Sequence, residues 1–173
     1  PEVVYYAACS VDGFVADRDG GVSWLPEATP GEDYGYAEFV AAIDAMVMGS
    51  RTYEQALTLG PWPYSKPCWV MSARALETSA DALRVTGLSA PELLADLAGR
   101  GHERVWLVGG PTLAGSFQRQ GLIDEYWLTV IPKLLGEGVP LLTGSDRLEC
   151  LSLVETREYR GGAVQLRYRR ERA

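Results

Sequence analysis

Glycine, hydroxyl and arginine residues cluster at four junctions, each directly after a short run of β-branched and aromatic residues. Ser10-Val11-Asp12-Gly13-Phe14 follows Val3–Ala8, and Gly49-Ser50-Arg51-Thr52-Tyr53-Glu54 follows Ala45–Met48. Met71-Ser72-Ala73-Arg74 closes the run Cys68–Met71, and Val108-Gly109-Gly110-Pro111-Thr112-Leu113 closes Val105–Val108. Glycine lets a ligand approach the backbone, first-turn N–H groups of a helix point at anions, and a guanidinium matches phosphate geometry. Set along one edge of one sheet, where ligands of open α/β sheets bind, these groups suit a nucleotide with several phosphates. Each motif also has a plainer reading. Asp12-Gly13 is common turn chemistry, Thr52 a possible helix N-cap, Arg74 a solvated charge, and Gly109-Gly110 a device for tight helix–strand packing. The double glycine is neither GxGxxG nor a Walker motif, because Gly115 lies too far on and no lysine follows.

The elements that must position these groups are legible as alternating strand and helix patterns. Further strand runs fall at Leu83–Thr86 and Glu125–Ile131, and most of the runs are apolar on both faces, as central strands covered by helices on both sides are. Tyr34–Ala42 places Tyr36, Phe39, Val40 and Ile43 on one helical stripe, with Thr52–Leu59 and Leu113–Gln120 as shorter helices. Ser89-Ala90-Pro91-Glu92 is a capping box with proline in the first turn, so Leu93, Leu94 and Leu97 should face the sheet. Leu151–Glu155 and Ala163–Arg169 alternate apolar and polar residues around Gly161-Gly162, the pattern of an antiparallel hairpin with one wet face. Ser23–Asp33 reads as a loop. The expected fold is a single α/β domain over residues 1–173, with a mostly parallel central sheet flanked by helices and an antiparallel carboxyl-terminal hairpin.

Composition narrows the function classes. The 173 residues carry 16 Lys plus Arg against 23 Asp plus Glu, a net charge of −7 with no basic patch, which argues against nucleic acid as a partner. The apolar runs fall far short of the roughly 20 residues that cross a bilayer, no signal peptide is expected at the amino end, and a reducing cytoplasm suits three scattered cysteines. Cys9, Cys68 and Cys150 lie in or beside apolar runs and are expected to be buried thiols; with the single His102 they give no zinc spacing, so no metal is expected. His102 sits in a turn-like stretch, which speaks against His-dependent nucleophilic chemistry.

The order of Ala7-Ala8, Asp12-Gly13, Trp24, Met48-Gly49-Ser50-Arg51-Thr52-Tyr53-Glu54, Ser72 and Val108-Gly109-Gly110 resembles the dihydrofolate reductase fold over nearly the whole chain. Val11-Asp12-Gly13-Phe14, Asp124-Glu125 and Pro132-Lys133-Leu134-Leu135-Gly136-Glu137-Gly138 resemble more closely the carboxyl-terminal reductase domain of RibD and its stand-alone relatives. The resemblance implies an NADPH-dependent reductase. Ala7 and Ala8 would hold the carboxamide through backbone groups, and Asp12, Gly13 and the residues to Ala16 would form a loop over the nicotinamide. Gly49, Ser50, Arg51 and Thr52 would contact phosphates, Ser72 and Arg74 would flank the adenosine end, and Val108, Gly109, Gly110, Thr112 and Leu113 would carry the pyrophosphate.

For the substrate half, the resemblance implies a carboxylate on the helix after the Trp24 loop. Counting back from Met48-Gly49 reaches Asp33, whose plainer role is a helix N-cap. Asp33 and Asp12 are therefore the candidate catalytic residues, and Trp24 and Lys133 the candidate substrate contacts, with Lys133 equally readable as a solvated loop residue. Lys133 and Arg51 would serve a sugar-phosphate substrate. The tract before Tyr34 lacks the apolar density of a folate site, which favours reduction of a small heterocycle such as 5-amino-6-(5-phosphoribosylamino)uracil over dihydrofolate. A nucleotide-binding protein without turnover is the alternative class. Homodimers are common in reductases of this kind.

Overall fold

The computed structural model describes residues 1–26, 32–78, 81–144 and 146–171. Strands β1 (Glu2–Ser10) and β2 (Phe14–Ala16) precede helix α1 (Tyr36–Ala41), and β3 (Ala45–Gly49) runs into α2 (Ser50–Thr58). Strands β4 (Cys68–Met71) and β5 (Leu83–Thr86) lead to α3 (Ala90–Gly99), and β6 (Arg104–Gly109) leads to α4 (Pro111–Arg119). The chain ends with β7 (Glu125–Ile131), the short β8 (Val139–Pro140), β9 (Leu151–Glu158) and β10 (Val164–Arg170).

Among the described residues these strands form an eight-stranded sheet in the order β5-β4-β3-β6-β1-β7-β10-β9. Every pairing from β5 across to β7 is parallel, while β10 runs antiparallel to both β7 and β9. The expected fold class holds. Strands covered on both faces must be apolar at successive positions, and β1 shows how that sorts. Val3 and Tyr5 pack with Leu93 and Leu97 of α3 and with Ala114 and Phe117 of α4. Val4, one residue away on the other face, packs with Phe39 of α1 and Tyr53 of α2. Leu94 is partly buried against the first of these cores, as its spacing requires.

Several local expectations are corrected. Helix α1 begins at Tyr36, not Tyr34, because Tyr34 (φ 54°) and Gly35 (φ 75°) are both left-handed. Helices α2 and α4 begin earlier than their apolar stripes, at Ser50 and Pro111, so Gly49 and Gly110 occupy the N-cap positions and Thr52 does not. Cys9 and Cys68 are buried, but Cys150 is exposed, just before the edge strand β9. The antiparallel pair β2 and β8 was not legible in so few residues. Of the expected loop Ser23–Asp33, residues 27–31 lie outside the described residues.

Candidate active site

The sheet reverses its winding at the middle: from β1 the chain moves outward through β3, β4 and β5, returns to β6, then crosses to β7 on the other side of β1. Such a switch point opens a crevice at the carboxyl ends of the strands. The ladder registers show it. Strand β1 pairs with β6 only from Glu2↔Arg104 to Tyr5↔Leu107, yet stays paired with β7 out to Ser10↔Ile131. The β6-facing edge of Ala7 and Ala8 is thus outside the ladder, with backbone groups available to an amide.

Both helices that start beside this crevice start bare. Neither α2 nor α4 has a side-chain cap or an acidic residue in its first turn, which leaves first-turn N–H groups for an anion. The two starts adjoin. A Cβ on Gly49 would lie 3.8 Å from the Gly109 carbonyl oxygen and 4.0 Å from Leu113 Cβ, and one on Gly110 would lie 3.1 Å from Thr52 Oγ1. Gly109 has φ 115°, a conformation that L side chains rarely adopt, and the Gly109–Gly110 peptide is cis. Ser50 and exposed Thr112 sit in the first turns, while Val108 packs into the core on the α1/α2 face.

The two arginines differ. Arg51 is exposed in the first turn of α2 with no ion pair among the described residues, whereas Arg74 Nη2 meets Glu54 Oε1 at 2.9 Å. Ser72 Oγ accepts the Arg74 N–H and donates to the Arg74 carbonyl, both at 3.0 Å, so the hydroxyl shapes the turn after β4.

Gly13 (φ 86°) completes the turn after β1, and its carbonyl accepts the Leu141 N–H at 2.9 Å. Asp12 fastens the same turn to the 132–138 loop: Oδ1 accepts the Leu135 N–H (3.2 Å) and Oδ2 the Gly136 N–H (2.7 Å). The hydrogen bond from Ser10, with those from the backbone, holds the Asp12 carboxyl below its ordinary range. Both oxygens are thereby engaged in fastening a loop.

On the α1/α2 face lies a cavity of about 260 Å³. Tyr6 and Ala8 of β1 with Thr129 and Ile131 of β7 line its floor, Asp33, Tyr34 and Tyr36 its wall, and Leu25 and Pro26 its front. Asp33 is exposed, not buried, and both its oxygens accept backbone N–H groups at the start of α1, from Gly35 (3.0 Å) and Ala37 (2.9 Å). Burial raises the Tyr6 and Tyr36 phenols above their ordinary range. Trp24 and Lys133 do not line the cavity: Lys133 is exposed and its Nζ donates to the Trp24 carbonyl at 2.6 Å.

A buried polar network beneath the cavity was missed by the sequence reading. Gln165 Nε2 donates to Thr129 Oγ1 (3.1 Å) and to the Tyr34 carbonyl (3.2 Å), and its Oε1 accepts from the Tyr159 hydroxyl (3.4 Å). The signal was present, because Thr129 alternates with Trp127 and Ile131 on one face of β7 and Gln165 is its register partner. Among the described residues no group of His, Cys, Asp and Glu is disposed to hold a metal ion, and no helix is long and apolar enough to cross a membrane.

A parallel sheet with an antiparallel carboxyl-terminal hairpin, entered at its carboxyl edge beside two bare helix starts, is the dihydrofolate reductase-like fold in its RibD form. The chain belongs to the RibD C-terminal domain family, whose profile matches residues 63–164. It is 34% identical over 169 residues to the uncharacterized protein YwjB of Bacillus subtilis (strain 168), covering 96% of this chain and 97% of that one. It is 32% identical over 151 residues to the riboflavin biosynthesis protein RibD of Mycobacterium tuberculosis (strain ATCC 25618 / H37Rv), covering 79% of this chain but 43% of that protein. A solved structure from Shewanella sp. PV-4, which carries a provisional riboflavin-biosynthesis name, superposes with a TM-score of 0.90 at 28% identity, covering 99% of this chain and 100% of that one.

Proposed function

We propose that the protein is an NADPH-dependent reductase of a small heterocycle, of the riboflavin-pathway type. The observation that carries this reading is the meeting of two uncapped helix starts at a glycine-walled crevice, next to the open edge of Ala7-Ala8 and the tyrosine-lined cavity. The residues present fit a dinucleotide. The first-turn N–H groups of α2 and α4, walled by Gly49, Gly109 and Gly110, would hold the pyrophosphate, with Thr52, Thr112 and Leu113 beside them. Arg51 would meet the 2′-phosphate and Ser72 the adenosine side. Ala7 and Ala8 would orient the carboxamide by backbone groups, directing the nicotinamide toward the cavity that Ala8 helps to floor. When bound, NADPH supplies the hydride.

The chain's own part in the chemistry is positioning. Tyr6 and Tyr36 present apolar ring surface to a flat substrate. Asp33 offers its carboxylate at the wall as an acceptor for a ring N–H, and Asp12 keeps the loop that borders the crevice in place. Titration of NADPH by quenching of tryptophan fluorescence tests the reading. A dissociation constant in the micromolar range or tighter is expected, and absence of binding by both fluorescence and calorimetry would overturn it. Loss of NADPH absorbance with a heterocyclic substrate separates a reductase from a binding protein without turnover.

A further inference from the structure

Resting on that reductase reading, we propose that the Thr129 hydroxyl, held by Gln165 on the cavity floor, donates a hydrogen bond to a carbonyl oxygen or lone-pair nitrogen of the substrate ring and so selects it. Gln165 is the positioning residue behind it. The two stand opposite each other in the ladder between β7 and β10, at 3% and 4% exposure, and of the two Thr129 borders the cavity.

The direction of each hydrogen bond follows from what its atoms can do. A carbonyl oxygen only accepts, so the end of the Gln165 amide that meets the Tyr34 carbonyl at 3.2 Å is its NH₂ end. The same Nε2 reaches Thr129 Oγ1 at 3.1 Å, and an amide nitrogen only donates, so the threonine oxygen accepts. Gln165 Oε1 is left to accept from the Tyr159 hydroxyl at 3.4 Å, which closes the network without conflict. A hydroxyl that accepts here keeps its own proton for another partner. Among the described residues no group takes that proton, and the side chain lies at the cavity.

The other floor residues leave the task to Thr129. Ala8 and Ile131 have no polar side-chain atoms, and the Tyr6 hydroxyl donates to the Tyr34 carbonyl at 3.5 Å. A buried donor without an acceptor costs free energy, which a ring carbonyl or lone-pair nitrogen at this point relieves. A ring that offers only N–H groups there leaves the proton unpaired. Asp33 in the wall is the opposite case, because an ionised carboxylate only accepts. A heterocycle with an acceptor toward the floor and an N–H toward the wall satisfies both, as the lactam edge of a pyrimidinone or a pterin does.

The test is calorimetric binding of two probes that carry ring carbonyls, 5-amino-6-(5-phosphoribosylamino)uracil and 6-methyl-7,8-dihydropterin, with and without saturating NADP⁺. Thr129→Val keeps the shape and loses the hydroxyl; it should weaken whichever probe binds about tenfold and leave NADPH affinity within about twofold. Thr129→Ser keeps the donor and should stay within about threefold of the unmutated protein. Gln165→Met should weaken the probe at least about threefold, and by clearly less when Thr129→Val is already present. Unchanged probe affinity in Thr129→Val overturns the proposal, and so does a Thr129→Ser variant as weak as Thr129→Val. An equal loss for NADPH would give the hydroxyl to the nicotinamide and also overturns it. A Gln165→Met loss of the same size in both backgrounds removes Gln165 as the positioning residue. Failure of both probes overturns the proposal, and NADPH binding in that case keeps the reductase reading. Binding of a probe through Thr129 without any binding of NADPH supports the proposal and overturns the reductase reading instead.

Discussion

At the scale of single residues, the crevice is defined by what is missing from it. Gly110 cannot carry a side chain without meeting Thr52 Oγ1 at 3.1 Å, where the starts of α2 and α4 adjoin. Gly110→Ala is therefore expected to fold normally, with unchanged near-ultraviolet circular dichroism, and to bind NADPH at least tenfold more weakly. The arginines make a sharper contrast. A charge-assisted hydrogen bond contributes roughly 1.5–3 kcal/mol, so Arg51→Ala should cost NADPH affinity about tenfold or more while leaving NADH nearly unchanged. Arg74→Ala should cost less, since Arg74 is already paired with Glu54 and both side chains are largely exposed. Titration of both cofactors against both variants checks this. An equal loss for NADPH and NADH on Arg51→Ala would assign Arg51 to the pyrophosphate.

At the scale of elements, the fastening of one loop to another decides how the crevice is bordered. Asp12 joins the turn after β1 to the 132–138 loop through the amides of Leu135 and Gly136. Its carboxyl is held below the ordinary value of 3.8, so the contribution is fully present above that pH and is lost as pH falls through the lower folded value. Asp12→Ala is expected to abolish hydrogen-exchange protection of the Leu135 and Gly136 amides near neutral pH and to leave the protected amides of β1 and β7 unaffected. This level also marks where the sequence stops being readable. The strands were legible because burial on both faces forces a continuous apolar run, and α3 because Ser89 and Glu92 close its first turn. The position of α1 was not. Its start depends on the left-handed pair Tyr34-Gly35, and a tyrosine at positive φ is imposed by its surroundings, here the Gln165 and Tyr6 side chains that bond its carbonyl. The cavity wall inherits that shift, so the glycine junctions after β3 and β6 could be read from the sequence while the lining of the cavity could not. Thr129 and Gln165 come together only through pairing of β7 with β10, a contact between residues 36 apart in sequence.

At the scale of the whole molecule, the end of the sheet opposite the crevice is fastened by one buried carboxylate. Glu125 at the start of β7 is fully buried and bonds Arg104 from β6 (2.9 Å), Arg167 and Arg169 from β10, and the Trp127 indole N–H (2.8 Å). It thus joins the strands on both sides of the switch point. Burial pushes the Glu125 carboxyl up, but the hydrogen bonds from Trp127, Arg169 and Arg167 outweigh it, and the group stays below its ordinary value of 4.5. A carboxyl with a depressed folded value contributes stability that is present above its unfolded value and disappears as pH falls through the folded one. Removing one partner of a buried charge cluster costs about 3–5 kcal/mol, and the partial exposure of the three arginines moves Glu125→Gln toward the lower end. For a chain of this length each kcal/mol shifts Tm by roughly 2–4 °C, which predicts a fall of about 6–12 °C at pH 7. The difference should shrink as the pH is lowered below 4.5, because the unmutated protein then loses the same charge. Because the carboxylate lies at the opposite end of the strands from the crevice, NADPH affinity of the folded variant should be unchanged at 20 °C. Calorimetric scans of both proteins from pH 7 to pH 3 measure this directly, and Tm values that run parallel across that range would remove Glu125 as the acid-sensitive fastening of the sheet.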